Sequence, residues 1–179
     1  MQYFNNLIMR KTIFLAAIAT LFACNASEKS DYLVKYGGSE LEGTAPGYKN
    51  SKGEIVVEEA KYGYCFTDTI TKMGIVRTHE ASYLGIDVKG NILFEIYPFD
   101  NGPDYEQEGL FRIQKDGKIG YANMDGEIII QPQFACAFPF EDGKAKVALA
   151  CEEVFDEDEY TTVHSDEWFY INTKGDKVE

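Results

Sequence analysis

Apolar and polar positions fall into short runs of strand length, separated by polar turns that end in glycine. The clearest stretch is Gly109 to Ala150. Gly109-Leu110-Phe111-Arg112-Ile113 alternates with period two. Lys115-Asp116-Gly117-Lys118 follows, and Asp-Gly supplies the positive φ that a hairpin turn needs. Ile119 to Ala122 reads as a second strand and Asn123-Met124-Asp125-Gly126 as a second turn. Glu127 to Gln131 reads as a third strand, stopped by Pro132, which cannot donate to a central ladder. Phe134 to Phe140 is mostly apolar, and Glu141-Asp142-Gly143 turns into Lys144 to Leu149. No stretch sustains a period of 3.6, so helix is at most a minor component.

One phrase recurs four times: YKNSKGEIVV from Tyr48, GIDVKGNILF from Gly85, YANMDGEIII from Tyr121 and YINTKGDKVE from Tyr170. The anchoring glycines Gly53, Gly90, Gly126 and Gly175 stand 37, 36 and 49 residues apart. A period in that range means one supersecondary unit used repeatedly. Each glycine sits where a tight turn demands positive φ. The residue three positions earlier (Asn50, Asp87, Asn123, Asn172) can accept hydrogen bonds from the turn's own amides. The expected architecture is all-β, a tandem array of antiparallel β-hairpin repeats in three to four degenerate units. Because an isolated hairpin is barely stable, such units share their stability across unit interfaces.

The run GLFRIQKDGKIGYANMDGEIIIQPQFACAFPFEDGKAKV resembles a WG repeat, a bacterial β-rich repeat. Gly117-Lys118-Ile119-Gly120-Tyr121 fits its Gly-Lys-Trp-Gly-Tyr segment, with Ile119 in the Trp slot. Gly126, Ile128, Pro132 and Phe134 fit the later half. Around Gly90 the slot holds Tyr83 with Leu84 in place of Gly. Around Gly175 it holds Trp168 followed by Phe169, and Pro46-Gly47-Tyr48 precede Gly53. The resemblance extends over residues 43–179 and implies no established chemistry. A candidate binding face is Tyr121, Phe134 and Trp168.

The N-terminus has the look of an address. Arg10 and Lys11 precede an apolar run, Ile13 to Phe22, too short to span a bilayer. Met9 is the better start for such a signal. Leu21-Phe22-Ala23-Cys24 resembles the lipobox of bacterial lipoproteins, in which the cysteine is acylated; that implies a signal peptide over 1–23 and a lipid on Cys24. Asn25 rather than Asp after the cysteine points, by the same resemblance, to the outer membrane, facing periplasm or cell surface. A tether over 24–42, most polar from Asn25 to Asp31, leads into the repeat domain at 43–179.

Charge narrows the partners. The chain has 17 Lys+Arg against 30 Asp+Glu, a formal net of −13. Loss of Arg10 and Lys11 with the signal would make it −15. Such a surface repels nucleic acid and anionic lipid. The densest acidic run, Glu152 to Tyr160, falls in the longest step and reads as an insertion near 152–165, a loop or lengthened hairpin. Cys65, Cys136 and Cys151 remain if Cys24 is lipidated. Cys136 and Cys151 flank the Asp142-Gly143 turn and are open to either reading, a bridge or two small buried residues.

Chemistry is sparse. His79 and His164 are far apart in dissimilar contexts, and His79-Glu80 lacks a second histidine four residues on. No nucleophile elbow, phosphate loop or dinucleotide fingerprint is present. No catalytic residue, metal ligand or cofactor is expected. The sequence therefore favours a lipid-anchored binding module with an envelope protein or glycan as partner. The alternatives are a small glycan hydrolase using paired carboxylates and a structural subunit of an outer-membrane complex.

Overall fold

A computed structural model describes residues 31–39, 41, 43–155 and 161–179. Cys24 and the signal segment lie outside the described residues, as does the stretch 156–160 of the acidic insertion. All regular elements among the described residues are short strands, so the protein is an all-β repeat fold.

The strands group into four units. The first is β1 (Leu33–Tyr36), which starts the repeat fold inside the stretch expected to be a tether, then β2 (Gly47–Asn50) and β3 (Ile55–Val57), followed by β4 (Tyr64–Cys65) and β5 (Thr69–Ile70). The second is β6 (Met73–Arg77), β7 (Tyr83–Asp87) and β8 (Ile92–Ile96), followed by the pair β9 (Pro98–Phe99) and β10 (Gly102–Pro103). The third is β11 (Phe111–Lys115), β12 (Lys118–Ala122) and β13 (Ile128–Phe134), followed by β14 (Cys136–Ala137). The fourth opens with β15 (Lys144–Ala148). It is interrupted by β16 (Glu152–Phe155) and β17 (Thr161–His164), which pair with each other, and closes with β18 (Phe169–Asn172) and β19 (Lys177–Val178).

Each unit is thus a three-stranded antiparallel meander: β1-β2-β3, β6-β7-β8, β11-β12-β13 and β15-β18-β19. The second and third join edge to edge, Ile96 opposite Ile113, and with β4 make a seven-stranded sheet. The phrase found in the sequence is the turn between the second and third strands of each meander. Its geometry is the same four times. The side-chain oxygen of Asn123 accepts the main-chain N–H of Asp125 and of Glu127, both at 3.0 Å. The equivalent atoms of Asn50, Asp87 and Asn172 do the same at 2.8–3.0 Å. The glycine that completes the turn has φ between 76° and 88° in all four, a region that only glycine enters without strain.

Gly120 has a different reason to be glycine. Its φ is ordinary, but β13 bulges across it, with Ile119 opposite Phe134 and Tyr121 opposite Ile130. A Cβ on Gly120 would lie 2.4 Å from the Ile130 carbonyl oxygen and 2.6 Å from the Pro132 nitrogen. The Gly-Tyr of one strand and the Ile-x-Pro of the next are therefore two halves of one contact. The bulge tolerates Pro132 because a ladder hydrogen bond is already missing there.

The meanders stack, and each covers the one before. Tyr48 and Val57 share a core with Val76 and Ile86 of the second unit. Phe94 of the second packs with Ile113 and Ala122 of the third. Tyr121 and Ile130 of the third pack with Val147 and Ile171 of the fourth. These covering residues occupy equivalent positions in their units, which is the recurrence expressed in packing. A fully buried side chain of this size contributes on the order of 1.5–3 kcal/mol, so burial across the unit interfaces is a major source of stability.

Candidate functional site

Arg112 is the one charge in an otherwise buried run, Leu110 to Ile113, and is itself 5% exposed. Its partner is Asp104, also buried. Nη2 of Arg112 meets Oδ1 of Asp104 at 2.6 Å and Nε meets Oδ2 at 3.0 Å, a bidentate pair. The main-chain N–H of Arg112 also donates to Oδ2, at 2.8 Å, and Nη1 donates to the Ala137 carbonyl at 3.0 Å. The guanidinium lies over Tyr97, 4.6 Å from the ring centroid, and 5.5 Å from that of Phe99. Each of the three guanidinium nitrogens thereby donates one hydrogen bond, the kind of compensation that a buried ion pair requires to persist.

This network fixes three chain segments that carry surface aromatics. Phe99, Tyr105 and Phe138 are 47%, 60% and 41% exposed. They line an open groove of about 350 Å³ with Glu141 beside them. Phe99 and Tyr105 meet edge to face with centroids 6.0 Å apart. Phe138 continues the aromatic surface to Trp168, 5.5 Å away, and the Lys146 ammonium sits 4.8 Å from the Trp168 centroid. Rigid, half-exposed rings held by a buried ion pair can stack on apolar or cationic groups of a ligand with little loss of side-chain freedom. Asp104 also lines the groove, but both its oxygens are engaged by Arg112, so it serves as a structural anchor.

The residues singled out from sequence fall in different places. Gly53, Gly90, Gly126 and Gly175 form the four turns described above. Tyr121 and Phe134 are 0% and 3% exposed, which corrects their assignment to a binding face. Tyr121 faces the fourth unit, its hydroxyl donates to the Phe138 carbonyl at 2.7 Å, and burial drives its phenol well above the usual range. Trp168 alone of the three is partly open to solvent. Cys136 and Cys151 form a disulfide, with Cα atoms 6.1 Å apart, possible because Cys136 stands opposite Ala148 at the end of β15. Cys65 is free and buried, and burial pushes its thiol up, which makes it a poor nucleophile. Nε2 of His79 lies 3.0 Å from the Ala60 carbonyl oxygen. Among the described residues no three His, Cys, Asp or Glu side chains converge on a metal-sized site.

Sequence reading missed Arg112–Asp104 and the rings they hold. A signal was present: a charge inside an apolar alternating run, at a strand position whose neighbours are all core. Asp104 and Phe99 carry no such mark, because they lie in and just after the short β9–β10 hairpin between units.

Neither the curated proteins nor the solved structures gave a match. Residues 119–149, which run from β12 to just past β15 and include the Gly120–Pro132 contact, match the family model of the WG containing repeat.

Proposed function

We propose that this protein is a non-catalytic interaction module held at the cell envelope by a lipid on Cys24, with an envelope protein or glycan as its partner. The observation that carries the reading is the aromatic groove of Phe99, Tyr105 and Phe138, held open by the buried Arg112–Asp104 pair. The repeat match at 119–149 supports it, because stacked repeat units build extended surfaces. The lipobox-like Leu21-Phe22-Ala23-Cys24 supports the anchor. Acylation supplies about 0.8 kcal/mol per buried methylene, and more than one chain makes attachment durable. The net charge of −13 adds long-range attraction for basic partners and repulsion of nucleic acid.

The test is retention of partners after gentle solubilisation of membranes. A Phe99→Ala, Tyr105→Ala double variant removes exposed rings and leaves the ion pair, so it should fold with a melting temperature close to the parent. It should retain at most about a tenth of any specific partner, the loss expected when two aromatic anchors are truncated. Undiminished retention by a folded double variant would sink the assignment of the groove.

A further inference from the structure

Two of the four meanders, the first and the third, share one more relationship, and the fourth carries it incomplete. In the first unit Tyr48 stands opposite Lys35, and in the third Tyr121 stands opposite Arg112. Both tyrosines are fully buried. In each case a later segment crosses the tyrosine, and a main-chain carbonyl of that segment accepts the hydroxyl's hydrogen bond. Tyr48 donates to the Thr67 carbonyl at 2.6 Å, and Tyr121 to that of Phe138 at 2.7 Å. The same segment also satisfies the cation opposite. Asp68, next to Thr67, pairs with Lys35 at 2.7 Å. Ala137, next to Phe138, accepts from Arg112 at 3.0 Å. The second unit lacks both partners together: Gly85 stands opposite Ile75, and the Phe94 ring occupies the space over Gly85.

In the fourth unit Tyr170 stands opposite Lys146. Tyr170 is 45% exposed. Among the described residues nothing accepts from its hydroxyl, and Lys146 has no carboxylate or carbonyl partner. The Lys146 ammonium instead lies over the Trp168 and Phe138 rings, at 4.8 and 6.0 Å. The pair that takes an extended segment in units one and three is present here, open, and flanked by two aromatic rings.

We infer that this face binds an extended peptide segment of another polypeptide, which supplies a backbone carbonyl to Tyr170 and a carboxylate from the adjacent residue to Lys146. The template is internal: Thr67-Asp68 makes those two contacts with Tyr48 and Lys35. An acidic peptide is favoured over a basic one by Lys146, the unpaired cation at the centre of the face. The net negative charge of the protein opposes approach only at long range, and about 0.15 M salt confines that repulsion to roughly 8 Å. This inference rests on the reading of the protein as an interaction module and adds the ligand chemistry of a second face.

Trp168 is the chain's single tryptophan, so emission excited selectively at tryptophan reports this face and the adjoining Phe138 end of the groove, and the Lys146 and Tyr170 variants tell the two apart. The probe is a capped peptide with the order Phe-Thr-Asp-Thr-Ile, residues 66–70 of the protein itself, and its Asn counterpart. The Asp peptide should shift Trp168 emission with a dissociation constant in the millimolar range or tighter. The Asn peptide should bind about tenfold more weakly, as should Lys146→Ala with the Asp peptide, since each removes a charge-assisted hydrogen bond. Tyr170→Phe, which keeps the ring, should weaken binding several-fold. Lys49→Ala, at the opposite end of the array where Lys49 lies over Tyr36, should leave it unchanged. Equal affinity for the Asp and Asn peptides, or no response of Trp168 to either, would overturn the inference. Partner retention through Phe99 and Tyr105 is measured separately, so failure here with retention intact removes this face and leaves the module reading standing.

Discussion

Asn91 donates through Nδ2 to Oδ2 of Asp87 at 2.9 Å, and so reverses the hydrogen bond made in the other three turns. In those, the amide comes first and the carboxylate four residues later: Asn50 to Glu54, Asn123 to Glu127 and Asn172 to Asp176. The turn requires one amide and one carboxylate, in either order. Asp87→Asn would face two amides and should lower stability by about 0.5–1.5 kcal/mol, the worth of one such bond. Adding Asn91→Asp should restore most of it. Thermal melts of the parent, the single and the double variant measure this, and a double variant no better than the single would show that the pairing is incidental.

The same turn has an acid signature. Burial raises the Asp87 carboxyl, but hydrogen bonds from the Asn91 side chain and from the Asn91 and Lys89 main chain outweigh it, so the net shift is downward. A depressed carboxyl contributes stability that is present above its unfolded value, about 3.9, and is lost as pH falls through the lower folded value. Melting temperatures taken from pH 5 downwards should fall less steeply in Asp87→Asn than in the parent. Parallel curves would contradict the assignment.

Gly120 and Gly117 separate two reasons for glycine. Gly117→Ala places a methyl group in open space at φ 71° and should cost about 1 kcal/mol of backbone strain. Gly120→Ala drives its methyl into the main chain of Ile130 and Pro132 and should cost more than about 2 kcal/mol, because backbone cannot step aside as a side chain does. Denaturant midpoints compare the two, and a Gly120→Ala loss no larger than that of Gly117→Ala would reject the bulge contact.

The Cys136–Cys151 bridge closes a separation of 15 residues, for which chain entropy gives about 3 kcal/mol. Cys151→Ser should lower stability by roughly that amount. A thiol reagent applied to the folded, oxidised repeat domain, residues 31–179, should leave Cys65 unmodified, and unfolding should expose one thiol. Modification of three thiols without reductant would contradict the bridge.

The proposed lipid anchor is tested at Cys24. Cys24→Ser would remove the proposed acyl acceptor, and membrane fractions should then lose the protein. A variant that stays membrane-bound to the same extent would show that the anchor lies elsewhere.

Local turn chemistry was readable from sequence because it is written in contiguous residues. Asn123 to Gly126 carries donor, acceptor and positive φ within one phrase. The three strands of the third unit were legible as well, because Gly109–Ile113, Ile119–Ala122 and Glu127–Gln131 correspond to β11, β12 and β13; the first strands of the other meanders were not. β11 belongs to the meander of β12 and β13, but its sequence does not repeat that of β1, β6 or β15, because it is specified by what it packs on. Tyr121 and Phe134 looked like surface aromatics because a single strand cannot say whether its second face is covered. The fourth unit covers them. Phe99, Tyr105 and Phe138 could not be found from sequence, since their exposure follows from how the Arg112–Asp104 pair draws separate segments together.

The central claim is that the aromatic groove is where this protein meets its partner. The direct measurement is site-specific photo-crosslinking in intact cells, with a photoreactive residue at Tyr105, at Phe138 and, as reference, at exposed Lys52 in the first turn. The groove positions should give a discrete adduct that competes away when unlabelled protein is in excess, and Lys52 should give none. Equal adducts at all three positions, or adducts at Lys52 alone, would contradict the account.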